Sequence, residues 1–259
     1  MPTVDLLVQH KGQIVGAALI AFLLAGQLMP FASAGLASLQ WQRWGKNLGL
    51  AALNAGLAGL VVVPITVYAA SMAPTWRPAA WHGLGGLALD IVLLDLWLYI
   101  WHRANHVLPV LWRFHQVHHL DQQLDATTAL RFHVGEVFLS SVLRALVMVA
   151  LAMPLSSVLV FEVAVAVVAI FHHSNLKLPT PLHRVLSWFI VTPSIHWVHH
   201  HAVRADADSS YATILSVWDR LFGSASRTPQ TPGMRLGVEG QVDQTWVRLL
   251  LRPFIPNSR

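Results

Sequence analysis

Residues 84–106 read LGGLALDIVLLDLWLYIWHRANH, an apolar run that ends in a pair of histidines. Residues 84–100 are enough to cross about 30 Å of hydrocarbon as a helix. His102 and His106 follow at a spacing of four residues, which places both imidazoles on one face of the same helix. The stretch therefore predicts a membrane helix that delivers two histidines to one of its ends. A single pair is weak evidence for metal, because a satisfied polar face has the same spacing.

The composition is typical of a membrane protein. Of the 259 residues, 55% are hydrophobic and 11% are charged, whereas soluble domains average about 25% charged residues. The basic residues form no run that would track a phosphate backbone, so no nucleic acid partner is predicted. Because the chain has no cysteine, any metal ligands must be nitrogen or oxygen atoms.

Five apolar stretches predict an all-α integral membrane bundle with four or five transmembrane helices. They lie at residues 14–31, 48–70, 84–100, 137–153 and 155–171. The last two are separated only at Pro154 and are alternatively one bent or re-entrant unit, since proline removes a helical hydrogen bond. Lys11, the first stretch and Ala32-Ser33-Ala34 are alternatively a secretory signal with its cleavage site.

The distribution of lysine and arginine predicts how the bundle is oriented. These residues collect after the first, third and fifth stretches, and the positive-inside rule places such segments in the cytoplasm. They are Arg43, Lys46, Arg103, Arg113, Arg131, Lys177 and Arg184. The other side receives Arg77 and the turn at Pro154, so the N-terminus is predicted to lie outside. We therefore predict a bacterial inner-membrane protein whose histidines lie on the cytoplasmic side.

Histidine is concentrated in one part of the chain, since 13 of the 15 lie between His102 and His201. Beyond the first pair, the groups are 115–119 (HQVHH), 172–173 (HH) and 196–200 (HWVHH). Two metal ions need about eight to ten ligand positions, and neutral imidazole suits iron, zinc or copper. Without metal, so many imidazoles beside a bilayer would be costly to desolvate. The pattern predicts a dimetal site in a cytoplasmic, histidine-rich cap.

Carboxylates near these histidines are candidate partners for them, because a ligand imidazole usually donates its other N–H to an oxygen atom. Asp95 lies on the same helical stripe as His102, and a carboxylate inside a crossing is costly. We predict that it points toward the metal site, with structural hydrogen bonding as the alternative. Asp219, which follows the last histidine group, is predicted either to brace the cap or to orient a ligand. Glu136 alternatively caps the start of a helix.

The chain resembles the fatty acid hydroxylase and sterol desaturase superfamily of membrane-bound, histidine-rich di-iron oxygenases. The resemblance covers about residues 90–223. It is carried by DLWLYIWHR (95–103), LWRFHQVHH (111–119), RFHVGE (131–136), HSN (173–175), PSIHWVHH (193–200) and WDRLFG (218–223).

The resemblance implies which residues form the site. The ligand and catalytic positions are His102, His106, His115, His118, His119, His173, His196, His199 and His200. Asp95, His133, Asn175 and Asp219 are implied to surround these ligands, and His172 and His201 to be outer or incidental. The resemblance also implies two iron ions, which zinc can replace on purification, dioxygen as co-substrate and an external ferredoxin- or cytochrome-type electron donor.

The implied activity is hydroxylation or desaturation of a C–H bond in a lipid, such as a fatty acyl chain or a sterol-like lipid. The implied organisation is N-terminal transmembrane helices at 1–83, a catalytic domain at 84–223 and a cytoplasmic C-terminal tail at 224–259. Two departures concern the substrate. Residues 208–212 read DSSYA where the family commonly has Asp-x-Asn-Tyr-Gly, and Val107 replaces a glutamate of ether-cleaving members, which argues against ether cleavage.

Two other functions are compatible with a histidine-rich membrane chain, namely a metal transporter and a haem-binding electron carrier. Transporter ligands lie near the membrane midplane in broken helices. A haem carrier needs histidines that face each other across crossings. Because the predicted histidines lie at helix ends instead, the pattern favours the oxygenase.

Overall fold

The computed structural model describes residues 2–33, 37–72, 74 and 76–255. In chain order its α-helices are α1 (Pro2–Gln9), α2 (Lys11–Leu28), α3 (Ala37–Leu57), α4 (Val63–Ser71), α5 (Gly83–Val107), α6 (Pro109–His119), α7 (Val134–Ala150), α8 (Leu155–His173), α9 (Thr180–Leu186), α10 (Pro193–His199), α11 (Arg204–Ala207), α12 (Val217–Leu221) and α13 (Trp246–Leu251). The described residues contain three isolated β-bridges and no strand. The all-α prediction is confirmed.

Four helical stretches are long and apolar enough to cross a membrane: Lys11–Leu28, Leu39–Ser71, Gly83–Val107 and Leu155–His173. The 17-residue helix α7 adds a fifth apolar helix. These helices agree with the predicted four or five crossings in an integral membrane protein. A turn in which Ala152 has φ 47° separates α7 from α8, so they are two helices rather than one bent unit. Ala34, at the alternative cleavage site, lies outside the described residues.

The second crossing contains a widened turn. Between α3 and α4, residues Ala58–Val62 form a π-helix, and Pro64 is the second residue after it. A proline ring inside an α-helix clashes with the carbonyl four residues earlier and removes one hydrogen bond. The π-turn accommodates this proline while the chain stays helical, so α3 and α4 together remain one crossing.

The crossing helices α2, α5 and α8 all end on the same side of the bundle. At this end Pro30, after α2, forms a bridge with Leu176, after α8. The segment after α6 contacts α3, where the side-chain amide of Asn54 donates to the carbonyl of Phe132. We call this the histidine end, since it carries His102, and the opposite end the far end.

An arginine whose side chain is largely covered closes the far end. Arg77 forms a two-oxygen ion pair with Asp90 of α5, at 2.8 Å to each oxygen. Its guanidinium also donates to the carbonyls of Trp81, Leu151 and Ala152. Each nitrogen of Arg77 thus has a protein acceptor, which ties the segment before α5 to the turn between α7 and α8.

The histidine end is covered by a polar cap that extends to the C-terminal region. Arg43 of α3 is 6% exposed and pairs with Asp121 and Asp125 after α6. Burial alone would raise the pKa of Asp121, but the guanidinium groups of Arg43 and Arg131 hold it below its usual value. The basic residues used to predict orientation are therefore partly structural.

The C-terminal segment is packed and not free. Leu249 of α13 is fully buried against Leu50 of α3 and Val117 of α6. Asp243 accepts from Arg131 and Lys46. This part of the chain, within the predicted C-terminal tail at 224–259, thus packs against the cap at the histidine end. Residues 256–259 lie outside the description.

Candidate metal centre

Two helices joined by a sharp corner supply five of the candidate ligands. Pro109 occupies the first turn of α6, where its missing N–H and fixed φ are tolerated. Leu108, the residue before it, is extended, which ends α5. The corner folds α6 onto α5, so that the rings of His106 and His119 lie 4.7 Å apart between centroids. The HQVHH pattern then places three imidazoles of α6 opposite the pair on α5.

Two further helix ends complete the site. His173 lies at the last residue of α8, and its ring is 4.9 Å from that of His118. α10 begins at Pro193 and carries His196 and His199, with His200 directly after it. Thus four helices from three separate parts of the sequence deliver their histidines to one end of the bundle, as the sequence analysis predicts.

The nine predicted ligands form two groups, in each of which one ligand atom per residue lies within 4.8 Å of all the others. The five-histidine group consists of His102, His106, His115, His119 and His199. The four-histidine group consists of His118, His173, His196 and His200. All nine residues are buried.

The nitrogen spacing within the groups fits metal ligation. His102 and His199 have Nε2 atoms 3.1 Å apart. In the four-histidine group, His173 Nε2 lies 3.1 Å from that of His118 and 2.9 Å from that of His196. Two nitrogens bound at right angles to one ion, with bonds of about 2.1 Å, would be about 3 Å apart. His115 and His119 also have buried Nε2 atoms without a hydrogen-bond partner. The donor set therefore fits two transition-metal ions.

The electrostatics of the cluster favour neutral rings, the form that binds metal. Burial lowers the pKa of His199 to about 3. Burial, together with neighbouring imidazoles, also lowers the pKa of His118, His119, His196 and His200 well below the usual range. Lone pairs, and not additional protons, therefore face the centre of each group.

Backbone carbonyls fix which ring nitrogen faces inward. A carbonyl only accepts, so a neutral imidazole beside it carries its proton on that nitrogen and presents its other lone pair elsewhere. The Nδ1 atoms donate over 2.7 Å from His102 to Tyr211, from His199 to Ser209 and from His173 to Ala169, and over 3.2 Å from His118 to Arg131. Four rings are thereby oriented with Nε2 inward.

Two carboxylates next to the five-histidine group were not assigned this role from the sequence. Glu136, at the start of α7, lies 2.8 Å from His115 Nδ1. Asp208 lies 3.4 Å from His106 Nδ1. Glu136 lies near a helix start, within the RFHVGE stretch. Because that stretch carries the family resemblance, it could have indicated that Glu136 is close to the site. Asp208 is the first residue of DSSYA, the stretch that departs from the family pattern. Its position in the sequence gave no indication that it lies next to His106.

Asp95 and Asp219 bind a segment that orients a ligand, and do not bind a ligand themselves. The Asp95 carboxylate accepts from the backbone of Ile214 and Leu215 and from the indole of Trp218. Asp219 accepts from the backbone of Tyr211 and Ala212. Neither has a hydrogen bond with a ligand imidazole. They instead hold residues 211–215, whose Tyr211 carbonyl orients His102, so the structural alternative describes them better.

His133 and Asn175 also differ from the prediction that they surround the ligands. His133 precedes α7, accepts from Gly135 N and bonds to the carbonyl of Leu250, so it is a helix cap tied to the C-terminal segment. Asn175 bonds to both backbone groups of Ala32 and fixes the chain after α2. These two side chains stabilise the frame around the site.

The remaining two clustered histidines differ from each other. His172 is buried, its ring lies 3.9 Å from that of His196, and neither of its nitrogens has a hydrogen-bond partner. It therefore borders the four-histidine group. His201 points away and bonds to Asp206 at 2.7 Å.

Residues 208–212 (DSSYA), which depart from the family pattern, contain an unusual backbone conformation. Ser210 has φ 52°, a conformation in which asparagine is favoured among residues with a side chain. Asparagine is the residue that the family pattern has at this position. Ser210 is held by the N–H of Ser226, which donates to its hydroxyl over 3.0 Å. The local bend that aims Tyr211 at His102 is thus formed without asparagine.

A cavity of about 530 Å³ begins at the histidine groups and extends between the crossing helices. Its histidine end is lined by His102, His115, His118, His172, His173 and His196. Apolar side chains such as Trp97, Phe161 and Val165 form much of the remaining wall. Its volume is in the range of small-ligand pockets, about 300–1,000 Å³. The arrangement places the imidazoles beside a largely apolar space inside the bundle.

Comparison with known proteins places the site in a family context. The family model for fatty acid hydroxylase matches residues 87–224. The chain is 29% identical over 183 residues to an ornithine lipid hydroxylase of Rhizobium tropici, covering 70% of this chain and 54% of that protein. It is 36% identical over 135 residues to an alkylglycerol monooxygenase of Danio rerio, covering 51% and 28%. A cholesterol 25-hydroxylase of Rattus norvegicus is 23% identical over 189 residues, covering 70% and 62%.

The chain thus spans about half, or less, of the length of the first two relatives. No solved structure matches it significantly. The matched region contains all nine histidines of the two groups.

Proposed function

Because the chain belongs to the fatty acid hydroxylase family, within the fatty acid hydroxylase and sterol desaturase superfamily, we propose that it is a membrane-bound oxygenase that hydroxylates or desaturates a lipid C–H bond. The observation that carries this proposal is the convergence of nine buried histidines into two groups beside an apolar cavity. The relatives that are named lipid hydroxylases or monooxygenases support the same reaction class.

Two iron ions are the proposed cofactor, one in each histidine group, and zinc is the expected substitute after purification. When bound, iron supplies the activation of dioxygen that an unactivated C–H bond requires. Hydroxylation consumes the lipid, dioxygen, two electrons and two protons, and yields the alcohol and one water. Desaturation uses the same reactants and yields the alkene and two waters.

The chain's own residues hold and orient the cofactor. Carbonyls of Tyr211, Ser209, Ala169 and Arg131 fix four rings, and Glu136 fixes His115. These hydrogen bonds keep the ligand geometry constant while the substrate is oxidised. Because the histidine groups are buried, bulk water is excluded from the place where the C–H bond reacts.

The cavity is the proposed substrate site. An apolar chain that enters it from the bilayer avoids transfer through water. Its position beneath the histidines lets one carbon lie next to the centre, and the choice of that carbon determines the product. The substrate is therefore proposed to be a membrane lipid with a chain or sterol-like body narrow enough for this space.

The proposed orientation places the histidine end in the cytoplasm of a bacterium, with the protein in the inner membrane. There the site has access to an electron-donor protein of the ferredoxin or cytochrome type, which is the second proposed partner. A reporter fused after residue 259 should be active only in the cytoplasm. Activity of a periplasmic reporter at the same fusion point would contradict this orientation.

Lipid profiling tests the reaction. Membrane lipids from cells that express the chain under ¹⁸O₂ should contain a species with one added ¹⁸O, or one that has lost two hydrogens. Cells that express His199→Ala should lack it at equal protein level. A product that appears with both proteins, or a purified wild-type protein without stoichiometric transition metal, would refute the proposal.

A further inference from the structure

A charged pair lies inside the bundle, at a distance from the histidines. Arg144 of α7 and Glu162 of α8 form an ion pair of 2.9 Å between Nη2 and Oε1. Both residues belong to helices that cross the bundle, and both line the cavity. Ionisable groups at membrane depth are costly, and they typically mark a functional site. This pair therefore requires an explanation that includes the cavity.

The pair is far from the candidate metal centre along the helix axis. Eleven residues separate Glu162 from His173 on α8, which is about 16 Å at about 1.5 Å per residue. Ten residues separate Arg144 from the start of α7, near Glu136. The cavity thus has imidazoles at one end and a guanidinium with a carboxylate deeper in the bundle.

Arg144 retains an unused donor. Its Nε is buried and has no hydrogen-bond partner. The clamp at the far end differs, because each guanidinium nitrogen of Arg77 has an acceptor there. Arg43 in the cap also has a buried Nε without a partner, but Arg43 does not line this cavity, whereas Arg144 does. Because Arg144 lines the cavity, its free donor is available to an acceptor on a molecule bound there.

Charge balance selects the kind of acceptor. Glu162 already neutralises the charge of Arg144, while Lys11, 4.0 Å from Glu162, is 46% exposed, does not line the cavity and keeps its own charge solvated. An added carboxylate or phosphate would bring another full charge into an apolar space, at a large desolvation cost. A hydroxyl or carbonyl oxygen accepts the hydrogen bond without that cost.

We propose that Arg144 and Glu162 form a binding subsite for a neutral oxygen atom of the lipid substrate, which sets the carbon that reaches the histidine groups. This inference rests on the proposed function and adds the substrate class to it: a lipid with a hydroxyl or carbonyl oxygen about 16 Å from the oxidised carbon. Arg144 is then a specificity-determining residue, and Glu162 keeps its charge compensated.

The test uses the full-length protein in lipid nanodiscs and the double variant Arg144→Met with Glu162→Met. Replacing a whole buried ion pair with apolar residues is often neutral for stability, so the variant is expected to fold and retain wild-type metal content. Thermal shifts are measured with 1-dodecanol and with n-dodecane, which differ only in the hydroxyl. The wild type should bind the alcohol about tenfold more tightly than the alkane, and the variant should bind both equally.

A second measurement is the position of the new oxygen or double bond in cellular lipids. The double variant should yield several positional isomers, or at least tenfold less product, where the wild type gives one isomer. Lys11→Gln is the matched control, because it removes a partner of Glu162 that does not line the cavity, and it should behave as wild type. Unchanged alcohol preference and unchanged positions in the double variant would overturn the subsite.

The two measurements separate this inference from the proposed function. If the wild type gives no oxidised lipid but still prefers the alcohol in an Arg144-dependent manner, the reaction is wrong and the subsite stands. If oxidised lipid forms but neither measurement responds to the variant, the subsite is wrong and the reaction stands.

Discussion

The two histidine groups differ in how their rings are held. In the five-histidine group, His102, His115 and His199 form hydrogen bonds to an oxygen through Nδ1, and His106 Nδ1 has an Asp208 oxygen at 3.4 Å. His119 Nδ1 is the one that is buried without such a partner in this group. In the four-histidine group, only His118 and His173 have such a partner, and the Nδ1 atoms of His196 and His200 are buried without one. Outer hydrogen bonds orient a ligand ring and make it more basic. The comparison indicates one firmly held candidate metal position and one that is more easily perturbed.

Removal of one ligand from each group should have the largest effect. His118→Ala and His199→Ala should both abolish product, because the proposed reaction requires an ion in each group. Their metal contents should differ: His118→Ala leaves three imidazoles in its group and should lose close to one ion per chain. His199→Ala leaves four and should lose less. Elemental analysis of purified protein measures this.

His201→Ala is the control for these variants, because His201 bonds to Asp206 and belongs to neither group. It should retain both product and metal. Equal metal loss in the two ligand variants would remove the proposed asymmetry.

Glu136→Gln should weaken the five-histidine group selectively. The amide cannot reproduce the charge that supports His115, and loss of such an outer partner typically reduces metal affinity about 10- to 100-fold. Competition with a chromophoric chelator measures the affinity. Asp208→Asn provides a graded comparison, since the Asp208 oxygen is 3.4 Å from His106 and should contribute less. A larger effect for Asp208 would reverse the assignment.

Chelation of the wild-type protein should proceed in two phases. The four-histidine group should release its ion first, by about tenfold in rate, because two of its rings have no outer support. Time-resolved metal release monitors both phases. A single phase, with both ions leaving together, would mean that the groups are coupled and that the difference in hydrogen bonding has no consequence for metal retention.

Asp95→Asn should have the smallest effect and act mainly on stability. The amide nitrogen would replace one acceptor oxygen among the donors of Ile214, Leu215 and Trp218, which costs about 1–3 kcal/mol of unfolding free energy. A reduced Tm with near-normal metal content is expected, with exposed Glu239→Gln as control. Loss of metal without loss of stability would instead restore Asp95 as a direct partner of the site.

The sequence predicts the helices and the paired histidines because both are encoded locally, whereas the set of nine ligands was implied by the family resemblance. Apolar length predicts a crossing without knowledge of its neighbours, and a spacing of three or four residues fixes a common helical face. His102 and His106 therefore could be assigned to one face before the fold was known. The same applies to the HQVHH and HWVHH patterns.

The outer partners were predictable only in part, because they depend on contacts between distant segments. Four of them are backbone carbonyls, such as that of Tyr211, and a carbonyl leaves no trace in residue identity. Asp95 has the right helical phase, but the segment near Leu215 occupies its carboxylate, 120 residues away in sequence. The division of the histidines into two groups likewise does not follow sequence order, since the adjacent residues His118 and His119 belong to different groups.

The packed C-terminal segment has a consequence for how the protein matures. Leu249 and Asp243 fix α6 and the loop after it, yet both are translated after the last histidine of the site. His133, which caps α7 beside Glu136, also depends on Leu250. The histidine groups are therefore braced in their final form only once this segment has docked, which requires that it has already been synthesised.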